Sequence, residues 1–209
     1  AEISGNEASG GKGGGVYVET SRTEQTIGGR AKITNNTAAD GGGVYMTNYG
    51  GTLVLRDNAA ITENTAIATR TSDVGGISIE YGALKVSGSV QVTGNARKAS
   101  EDSEDSEANV YVGSGSITVA GELTADACIG VTVSGGDLNG VMSGSSTKVV
   151  ATAAETGWIQ EGSFSHDGGD GGGLYGIRLS ADGKQAELRH DHVWEITTSK
   201  EGYTFSESC

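Results

Sequence analysis

The chain has 209 residues, with 36 glycines, no proline and a formal net charge of −13. Glycine does not recur at every third position, which excludes a collagen helix, and no apolar run approaches the roughly 18 residues of a membrane span. The 14 basic residues are outnumbered by 27 acidic ones, so we expect no nucleic-acid partner. With hydrophobic residues at only 35%, composition alone predicts disorder, and any order must come from periodicity.

One tetrapeptide occurs four times along the chain. Residues 3–6, 33–36, 61–64 and 92–95 read Ile-Ser-Gly-Asn, Ile-Thr-Asn-Asn, Ile-Thr-Glu-Asn and Val-Thr-Gly-Asn. Their asparagines are 30, 28 and 31 residues apart, which is a period typical of solenoid proteins. No apolar stripe follows the 3.6-residue spacing of a helix. The repeat therefore predicts stacked coils.

Two further segments follow each tetrapeptide and alternate as strands do. The first reads Gly-Gly-Val-Tyr-Val at 14–18, Gly-Gly-Val-Tyr-Met at 42–46, Gly-Gly-Ile-Ser-Ile at 75–79 and, degraded, Ala-Asn-Val-Tyr-Val at 108–112. The second covers 53–55, 84–86 and 117–119, with a weak equivalent around Ile27. Three strands per coil predict an all-β parallel solenoid. Because every coil needs its backbone amides for the next one, this fold explains the missing proline.

The alternation also predicts the core. Each buried aliphatic side chain contributes roughly 1.5 to 3 kcal/mol. The predicted inward residues are Ile33, Val44, Met46, Leu53 and Leu55, and one coil later Ile61, Ile77, Ile79, Leu84 and Val86.

Four asparagines stand at one corner of the predicted coils. They are Asn6, Asn36, Asn64 and Asn95. Since an amide both donates and accepts hydrogen bonds, we predict a structural ladder along the axis. The alternative, that these asparagines bind a ligand, requires them to point outward.

Another corner varies in length from coil to coil. The segment between the asparagine and the next apolar strand spans 10, 8, 13 and 15 residues, whereas the arc that follows spans 20, 20 and 18. Insertions in solenoids collect on one face, which is often the binding face. The variable corners are residues 7–12, 38–40, 69–73 and 101–107, and their candidate ligand-binding residues are Asp40, Asp73, Glu101, Asp102, Glu104 and Asp105.

Tyrosines recur at an outward position of the second strand. Tyr17, Tyr45 and Tyr111 occupy it, and Ser78 interrupts the file. Such a file can be a stacking platform for sugars. It can also be purely structural, because cross-strand aromatic pairs stabilise sheets by roughly 0.2 to 1 kcal/mol each. Both interpretations remain open at this point.

Patterns for catalysis are weak. The outward strand positions hold no carboxylate pair repeated on adjacent coils, as a polysaccharide hydrolase would need. Asp40 and Asp73 precede the Gly-Gly strands of neighbouring coils, where we expect solvated acidic loops. We predict no catalytic residue and no cofactor.

Patterns for metal binding and disulfides are equally weak. His190 and His192 have only Cys209 as a further zinc ligand, and residues 166–173 depart from the calcium-binding glycine-aspartate pattern. We predict no metal site. Two cysteines are too few for a disulfide framework, and a Cys128–Cys209 bond is left open.

The Ile-Thr-x-Asn-Thr-Ala and Gly-Gly-Val-Tyr segments, best seen at residues 33–45, resemble the right-handed parallel β-helix repeats of bacterial cell-surface proteins. The tail, with His192, Trp194 and Cys209, resembles the start of a His-x-Trp…Cys module that follows such repeats in Gram-positive proteins. The resemblance implies repeats over 1–125, irregular final coils and a cap over 126–189, and a tail or the start of that module over 190–209.

The same resemblance implies an extracellular, surface-displayed, adhesin-like stalk domain without catalytic activity. Its ligand would be a host surface or a polysaccharide, and the alternative is a carbohydrate-binding or polysaccharide-degrading module. Exposed strand edges at the ends of a solenoid predict a monomer or weak end-to-end association.

Overall fold

The alternating repeats fold into strands. A computed structural model describes residues 1–19, 22–68, 70, 72–133, 147–167 and 175–190, and the backbone of residues 193–197 and 204–208. No helix occurs within these ranges, so they include none long and apolar enough to span a membrane.

The strands follow one another in chain order. They are β1 (Glu2–Ser4), β2 (Glu7–Lys12), β3 (Val16–Val18), β4 (Glu24–Ile27), β5 (Lys32–Thr34), β6 (Thr37–Asp40), β7 (Val44–Leu55), β8 (Ala60–Thr62), β9 (Thr65–Ile67), β10 (Ile77–Gly88), β11 (Gln91–Thr93), β12 (Ala96–Lys98), β13 (Ser106–Glu107), β14 (Val110–Leu123), β15 (Cys128–Val131), β16 (Lys148–Ala153), β17 (Phe164–His166), β18 (Tyr175–Leu179), β19 (Gln185–His190), β20 (Val193–Thr197) and β21 (Thr204–Ser208).

About five turns of chain build a parallel β-solenoid with three walls. The first wall stacks β1, β5, β8, β11, β15 and β17. The second wall stacks β2, β6, β9 and β12. The third wall contains the long strands β7, β10 and β14, and β3 and β4 pair with the two halves of β7. The predicted solenoid is therefore confirmed.

The second wall is an addition to the three strands predicted for each coil. Two of its strands, β2 and β6, cover the predicted corners 7–12 and 38–40, whereas β9 and β12 precede the corners at 69–73 and 101–107. Ala38 pairs with Ala8 and Ala66 across this wall. Threonine is β-branched but polar, and alanine is small, so these segments lack the alternation of large apolar residues that predicts a strand. The neighbouring coils supply the pairing instead. The two later strands of the predicted coil also differ, because in β7, β10 and β14 they form one long, bent strand.

Residues of the same type lie directly over one another in the core. In the first wall, Ile3, Ile33, Ile61 and Val92 are in register, and Ile129 continues the file. The ten predicted core residues are all buried; they are Ile33, Val44, Met46, Leu53, Leu55, Ile61, Ile77, Ile79, Leu84 and Val86. A modest number of aliphatic residues per coil is thus enough to form a buried core, because the side chains of each coil pack against those of the next.

The four recurring asparagines form a hydrogen-bonded column along the axis. Asn36 Nδ2 donates to Asn64 Oδ1 at 2.9 Å, and Asn64 Nδ2 donates to Asn95 Oδ1 at 2.9 Å. The backbone N–H groups of Asn36 and Asn64 donate to the same oxygens at 3.0 Å. Asn6 donates to Asn36 in the same way at the first coil. Each amide therefore connects its coil to the next.

The second glycine of each Gly-Gly pair leaves space for this column. A Cβ atom on Gly43 would lie 3.0 Å from Asn64 Nδ2, and one on Gly76 would lie 3.0 Å from Asn95 Nδ2. Both distances are shorter than the 3.5 to 4.0 Å at which nonbonded carbon atoms pack best. The asparagine and glycine signatures are therefore two parts of one structural unit.

The asparagine column ends on a buried carboxylate. Thr132 stands where the next asparagine would follow Ile129, and Asn109 takes over its place in the column. Asn109 Oδ1 accepts from Asn95 Nδ2 at 2.9 Å, and Asn109 Nδ2 donates to Asp167 Oδ1 at 2.8 Å. Asp167 Oδ2 also accepts from the Asn109 N–H at 2.6 Å and from Thr132 Oγ1 at 2.7 Å.

Antiparallel strands close this end of the solenoid. β15 and β17 extend the first wall past residue 125, while β16 pairs in parallel with β14 and antiparallel with β19. β18 pairs with the other edge of β19, and β20 and β21 form a separate antiparallel pair. The expected boundaries of the final coils and cap at 126–189 and of the tail at 190–209 stay predictions.

Replacing Asp167 with alanine should lower the free energy of unfolding by about 2 to 3 kcal/mol, because the buried donors of Asn109 and Thr132 lose their acceptor. Burial raises the pKa of Asp167, against the effect of those hydrogen bonds, and the Glu107 charge adds to the rise. The folded chain therefore holds this proton more tightly than the unfolded chain. Below the unfolded-state pKa of about 4, Asp167 is protonated in both states and its burial causes no loss of stability from charge. Above the raised folded-state pKa, the cost of burying the ionised carboxylate lowers the free energy of unfolding by its full amount.

The neutral variant Asp167→Asn is the control. We expect it to be more stable than Asp167→Ala, because its Oδ1 can still accept from the Asn109 N–H and from Thr132 Oγ1, although its Nδ2 then faces the Asn109 Nδ2 donor. Because the variant does not titrate, its stability relative to the wild type should be highest at neutral pH and should fall as the pH decreases through the raised pKa of Asp167. Urea denaturation across this pH range checks both variants. An Asp167→Asn variant as unstable as Asp167→Ala at neutral pH would contradict this account of the column's end.

Candidate functional site

A cleft lies on the outer face of the third wall, beside the variable corner. It has a volume of about 340 Å³, and we call it the corner cleft. The ends of β2 and β6, the loop before β10 and the outward residues of β7, β10 and β14 form it. Its lining includes Lys12, Asp40, Tyr45, Arg70, Ser72, Asp73, Ser78, Glu80, Tyr81, Tyr111 and Ser114.

Asp40 connects the corner loop to the third wall. Its Oδ1 accepts from the Val74 N–H at 3.1 Å, and its Oδ2 accepts from Ser78 Oγ at 3.0 Å. Burial raises the pKa of Asp40, and the charge of Asp73 adds to the rise, whereas the two hydrogen bonds and Lys12 oppose it. Both carboxylate oxygens are thus used to hold the loop in place.

Asp73 lies in the same loop and is held by Arg70. The Arg70 Nε donates to Asp73 Oδ2 at 3.1 Å, and the guanidinium remains exposed, with 70% of the side chain accessible. Asp40 and Asp73 are both buried, so the expectation of solvated acidic loops was wrong. The reason is that the loop folds back onto the third wall and brings backbone and side-chain donors to these carboxylates.

Tyr45 is the centre of a chain of ionisable groups. Its hydroxyl donates to Glu80 Oε2 and accepts from Lys12 Nζ at 2.5 Å, and the ammonium lies 4.3 Å from the ring centroid. Burial, followed by the bond to the Glu80 carboxylate, raises the pKa of Tyr45 above its ordinary range. The same hydroxyl lowers the pKa of Glu80. At neutral pH the site therefore holds a neutral phenol between a carboxylate and an ammonium.

A stacked pair of tyrosines lies next to the cleft. The rings of Tyr49 and Tyr81 have centroids 4.0 Å apart and are inclined by 20°. Tyr81 lines the cleft, and Tyr49 is 66% exposed. A hydrogen bond to Tyr81 raises the pKa of Tyr49. One ring face of Tyr49 is covered by Tyr81, and the rest of the side chain is open to solvent.

The predicted tyrosine file is present but unevenly exposed. Tyr17, Tyr45, Ser78 and Tyr111 are in register, and Tyr17 stacks on Tyr45 at 5.7 Å with the rings inclined by 5°. Tyr45 is only 1% exposed, so its ring offers no face to a sugar. Tyr17, which is 48% exposed, and Tyr111 remain predicted ligand-binding residues.

The acidic residues of the fourth coil lie elsewhere. Glu101, Asp102, Glu104 and Asp105 belong to a hairpin between the antiparallel strands β12 and β13. Glu101 borders a groove of about 440 Å³ over the second wall, next to Lys98. The structure thus brings Asp40, Asp73, Tyr45 and Tyr111 together in the corner cleft and places the acidic hairpin at a different surface.

Sequence reasoning missed several residues of the cleft. Lys12 lies in the predicted corner 7–12, but neither Lys12 nor Glu80 belongs to a repeated pattern, so the sequence marked neither as a binding residue. Tyr49 and Tyr81 did carry a signal, because a Tyr-Gly pair recurs at 49–50 and 81–82, close to the repeat period. Both tyrosines lie near the bends of β7 and β10, where the coil turns between the halves of a long strand.

Several predictions about metals and cysteines fall outside the described residues. Cys209, His192 and residues 168–173 are among them. A Cys128–Cys209 bond, a metal site at His190 and His192, and a calcium turn therefore stay open. In the part of the chain that the structure describes, no three His, Cys, Asp or Glu side chains are placed to share a metal ion.

No protein-family model, curated protein or solved structure matches the chain. The resemblance to bacterial surface proteins therefore depends on the repeat motifs. The structure itself establishes the fold, a β-solenoid of stacked parallel strands without a helix among the described residues.

Proposed function

We propose that this chain is a non-catalytic, surface-displayed β-helical adhesin or stalk domain of a secreted bacterial protein. Its variable corners bind a host surface or a polymeric ligand. The observation that carries the proposal is the contrast between an in-register core and corners that differ from coil to coil. A rigid scaffold that tolerates such variation on one flank is suited to binding rather than to chemistry.

The fourth coil has the most developed corner. In its hairpin, Ala96 pairs with Glu107, and Lys98 Nζ forms an ion pair with Asp105 Oδ1 at 2.9 Å. At the tip, the Ser103 N–H donates to Ser100 O at 3.1 Å and the two hydroxyls are 2.9 Å apart. These bonds order the tip before any partner arrives, which lowers the entropy cost of binding.

The hairpin also borders an open groove. The floor of this groove is the outer face of the second wall, with Thr37, Thr65 and Ile67, and Lys98 and Glu101 lie at its hairpin side. Its outward residues are small or of medium size, so an extended polymer could lie across adjacent coils. The hairpin and the groove together are the surface that we assign to the ligand.

Truncating the hairpin tests this proposal. Replacing residues 99–104 with Asn-Gly keeps β12 and β13 and supplies a two-residue hairpin turn. We expect the labelled wild-type chain to bind saturably to cultured epithelial cells, and the truncated chain to bind at least about ten times more weakly, a loss of about 1.4 kcal/mol. Flow cytometry measures the binding.

Neutralising the acidic residues at the hairpin tip shows how much of the binding depends on their charge rather than on the shape of the hairpin. The variant Glu101→Gln/Asp102→Asn/Glu104→Gln keeps the hairpin, and the matched control Asp126→Asn/Glu155→Gln/Glu161→Gln removes the same charge at exposed positions elsewhere. We expect weaker binding for the first variant only. Absence of saturable wild-type binding, or unchanged binding after truncation, would contradict the proposal.

A carbohydrate-binding module is the second candidate. The corner cleft favours it, because an exposed aromatic pair borders fixed polar groups. The polysaccharide-degrading form of this candidate has less support. Both oxygens of Asp40 accept hydrogen bonds from the protein, and Asp73 is held by Arg70.

A further inference from the structure

The Tyr49–Tyr81 pair has the surface properties of a stacking platform. Aromatic side chains supply a large apolar face at low entropic cost, and a tyrosine keeps a polar tip in water. Tyr81 supports Tyr49 from one side at 4.0 Å, and 66% of Tyr49 remains accessible. A ring that is exposed but held in one orientation has already lost part of the freedom that binding would otherwise remove.

The polar groups next to this platform are also held in place. Glu80 directly precedes Tyr81 in β10, and its carboxylate accepts from the Tyr45 hydroxyl and lies 3.7 Å from Lys12 Nζ. Arg70 is held by Asp73 and points its remaining donors to solvent. The cleft therefore offers a fixed acceptor and fixed donors within a volume of about 340 Å³, near the lower end of the range of small-molecule sites.

The charged residues that line the corner cleft indicate which class of ligand it can bind. Lys12 and Arg70 face Asp40, Asp73 and Glu80 in the lining, which leaves a slightly negative cleft in a chain with a net charge of −13. An anionic polymer would be repelled by this field. A pyranose ring fits the arrangement, since it has an apolar face of C–H groups and a rim of neutral hydroxyls that both donate and accept.

We propose that the corner cleft and the Tyr49–Tyr81 pair beside it bind a neutral oligosaccharide, with one sugar ring stacked on Tyr49 and a neighbouring ring hydrogen-bonded in the cleft to Glu80 and Arg70. This site is distinct from the hairpin and the groove of the second wall, and the proposal does not depend on their function. Tyr45, Ser78 and Tyr111 of the tyrosine file line this cleft, but the stacking ring that we assign is Tyr49, because Tyr45 is covered.

Affinity electrophoresis tests the proposal with soluble neutral polysaccharides. The native chain is run in gels containing hydroxyethyl cellulose, xylan, galactomannan, laminarin or glycogen. We expect retardation in at least one gel, and an apparent association constant at least about ten times lower for Tyr49→Ala. Glu80→Gln should weaken binding through the loss of the fixed carboxylate acceptor.

Two controls make each outcome decisive. Trp158→Ala removes another exposed aromatic side chain, which is 58% accessible and lies outside the cleft, and this variant should be retarded like the wild type. Circular dichroism should show the wild-type spectrum for Tyr49→Ala, since that side chain contributes little to the core. A further gel contains the anionic polymer polygalacturonate. Retardation of the wild type by none of the five neutral polymers, or only by polygalacturonate, would overturn the proposal. Retardation of Tyr49→Ala equal to that of the wild type, or an equal loss of retardation in Trp158→Ala, would overturn it as well.

Discussion

Replacing Asn64 with alanine lowers the free energy of unfolding by about 3 to 5 kcal/mol, because it interrupts the buried column at its centre. Asn64 Oδ1 accepts from both the N–H and the Nδ2 of Asn36, at 3.0 and 2.9 Å. Asn64 Nδ2 donates to Ile33 O and Asn95 Oδ1, each at 2.9 Å. Each buried group left without a partner costs about 1 to 3 kcal/mol. Urea denaturation followed by circular dichroism measures the loss.

Asn6→Ala is the matched control for this prediction. Asn6 occupies the same position in the first coil, but it is exposed, and its Nδ2 donates to Ser4 O and to Asn36 Oδ1. The Asn6 backbone N–H still reaches Asn36 Oδ1 after the substitution. We expect a loss below about 1 kcal/mol, because water can replace the exposed contacts. A similar loss in both variants would mean that the column does not stabilise the interior coils.

Gly43→Ala is expected to be nearly as damaging, with a loss of about 3 kcal/mol, although it adds only a methyl group. A Cβ atom there would lie 2.8 Å from Ile61 Cγ2, 2.9 Å from Gly76 O and 3.0 Å from Asn64 Nδ2. Gly76 O is fixed because it accepts from the Val44 N–H at 2.9 Å. Neighbouring coils would have to move apart, and overpacking of this kind typically costs 1 to 3 kcal/mol.

Gly11→Ala is the control for the added methyl group. Its Cβ atom would approach the side chain of Ala8 to 3.4 Å, an ordinary contact. We expect a change within about 0.5 kcal/mol. Thermal and urea denaturation compare the two variants. Equal stability of Gly43→Ala and Gly11→Ala would show that the coils are not packed as closely as described.

The stability losses caused by Asn64→Ala and Gly43→Ala should not be independent of each other. Gly43 and Asn64 are neighbours, so part of the cost of Gly43→Ala comes from crowding the Asn64 amide. In the double variant that amide is gone. We expect a combined loss smaller than the sum of the single losses, since residues in contact are not additive. Strict additivity would contradict the idea that the glycine makes room for the asparagine.

The sequence predicted the first wall and the asparagine column because both depend on local patterns that repeat. Ile33 and Ile61 alternate with polar residues, and Asn36 and Asn64 follow at a constant offset. The end of the column could not be predicted. Asn109 comes from the segment before β14 rather than from the tetrapeptide, and only stacking brings it beneath Asn95.

The corner cleft was only partly predictable for a related reason. Asp40 and Asp73 were found because they precede the Gly-Gly strands, but their burial depends on how the loop folds over the third wall. Tyr49 and Tyr81 are stacked because coils two and three lie side by side at the bends of their long strands. Such contacts between coils are tertiary contacts, and the sequence of a single repeat does not predict them.

The most direct test of the account is whether residues 28 to 31 positions apart in the chain touch in solution, as the register of the first wall requires. Methyl-labelled protein and nuclear Overhauser spectroscopy can measure this. The account predicts cross-peaks between the methyl groups of Ile33 and Ile61 and between those of Ile61 and Val92, which are neighbours in the stack. Absence of both contacts in a folded sample, or contacts of Ile33 with Val92 but not with Ile61, would contradict the stacked parallel coils.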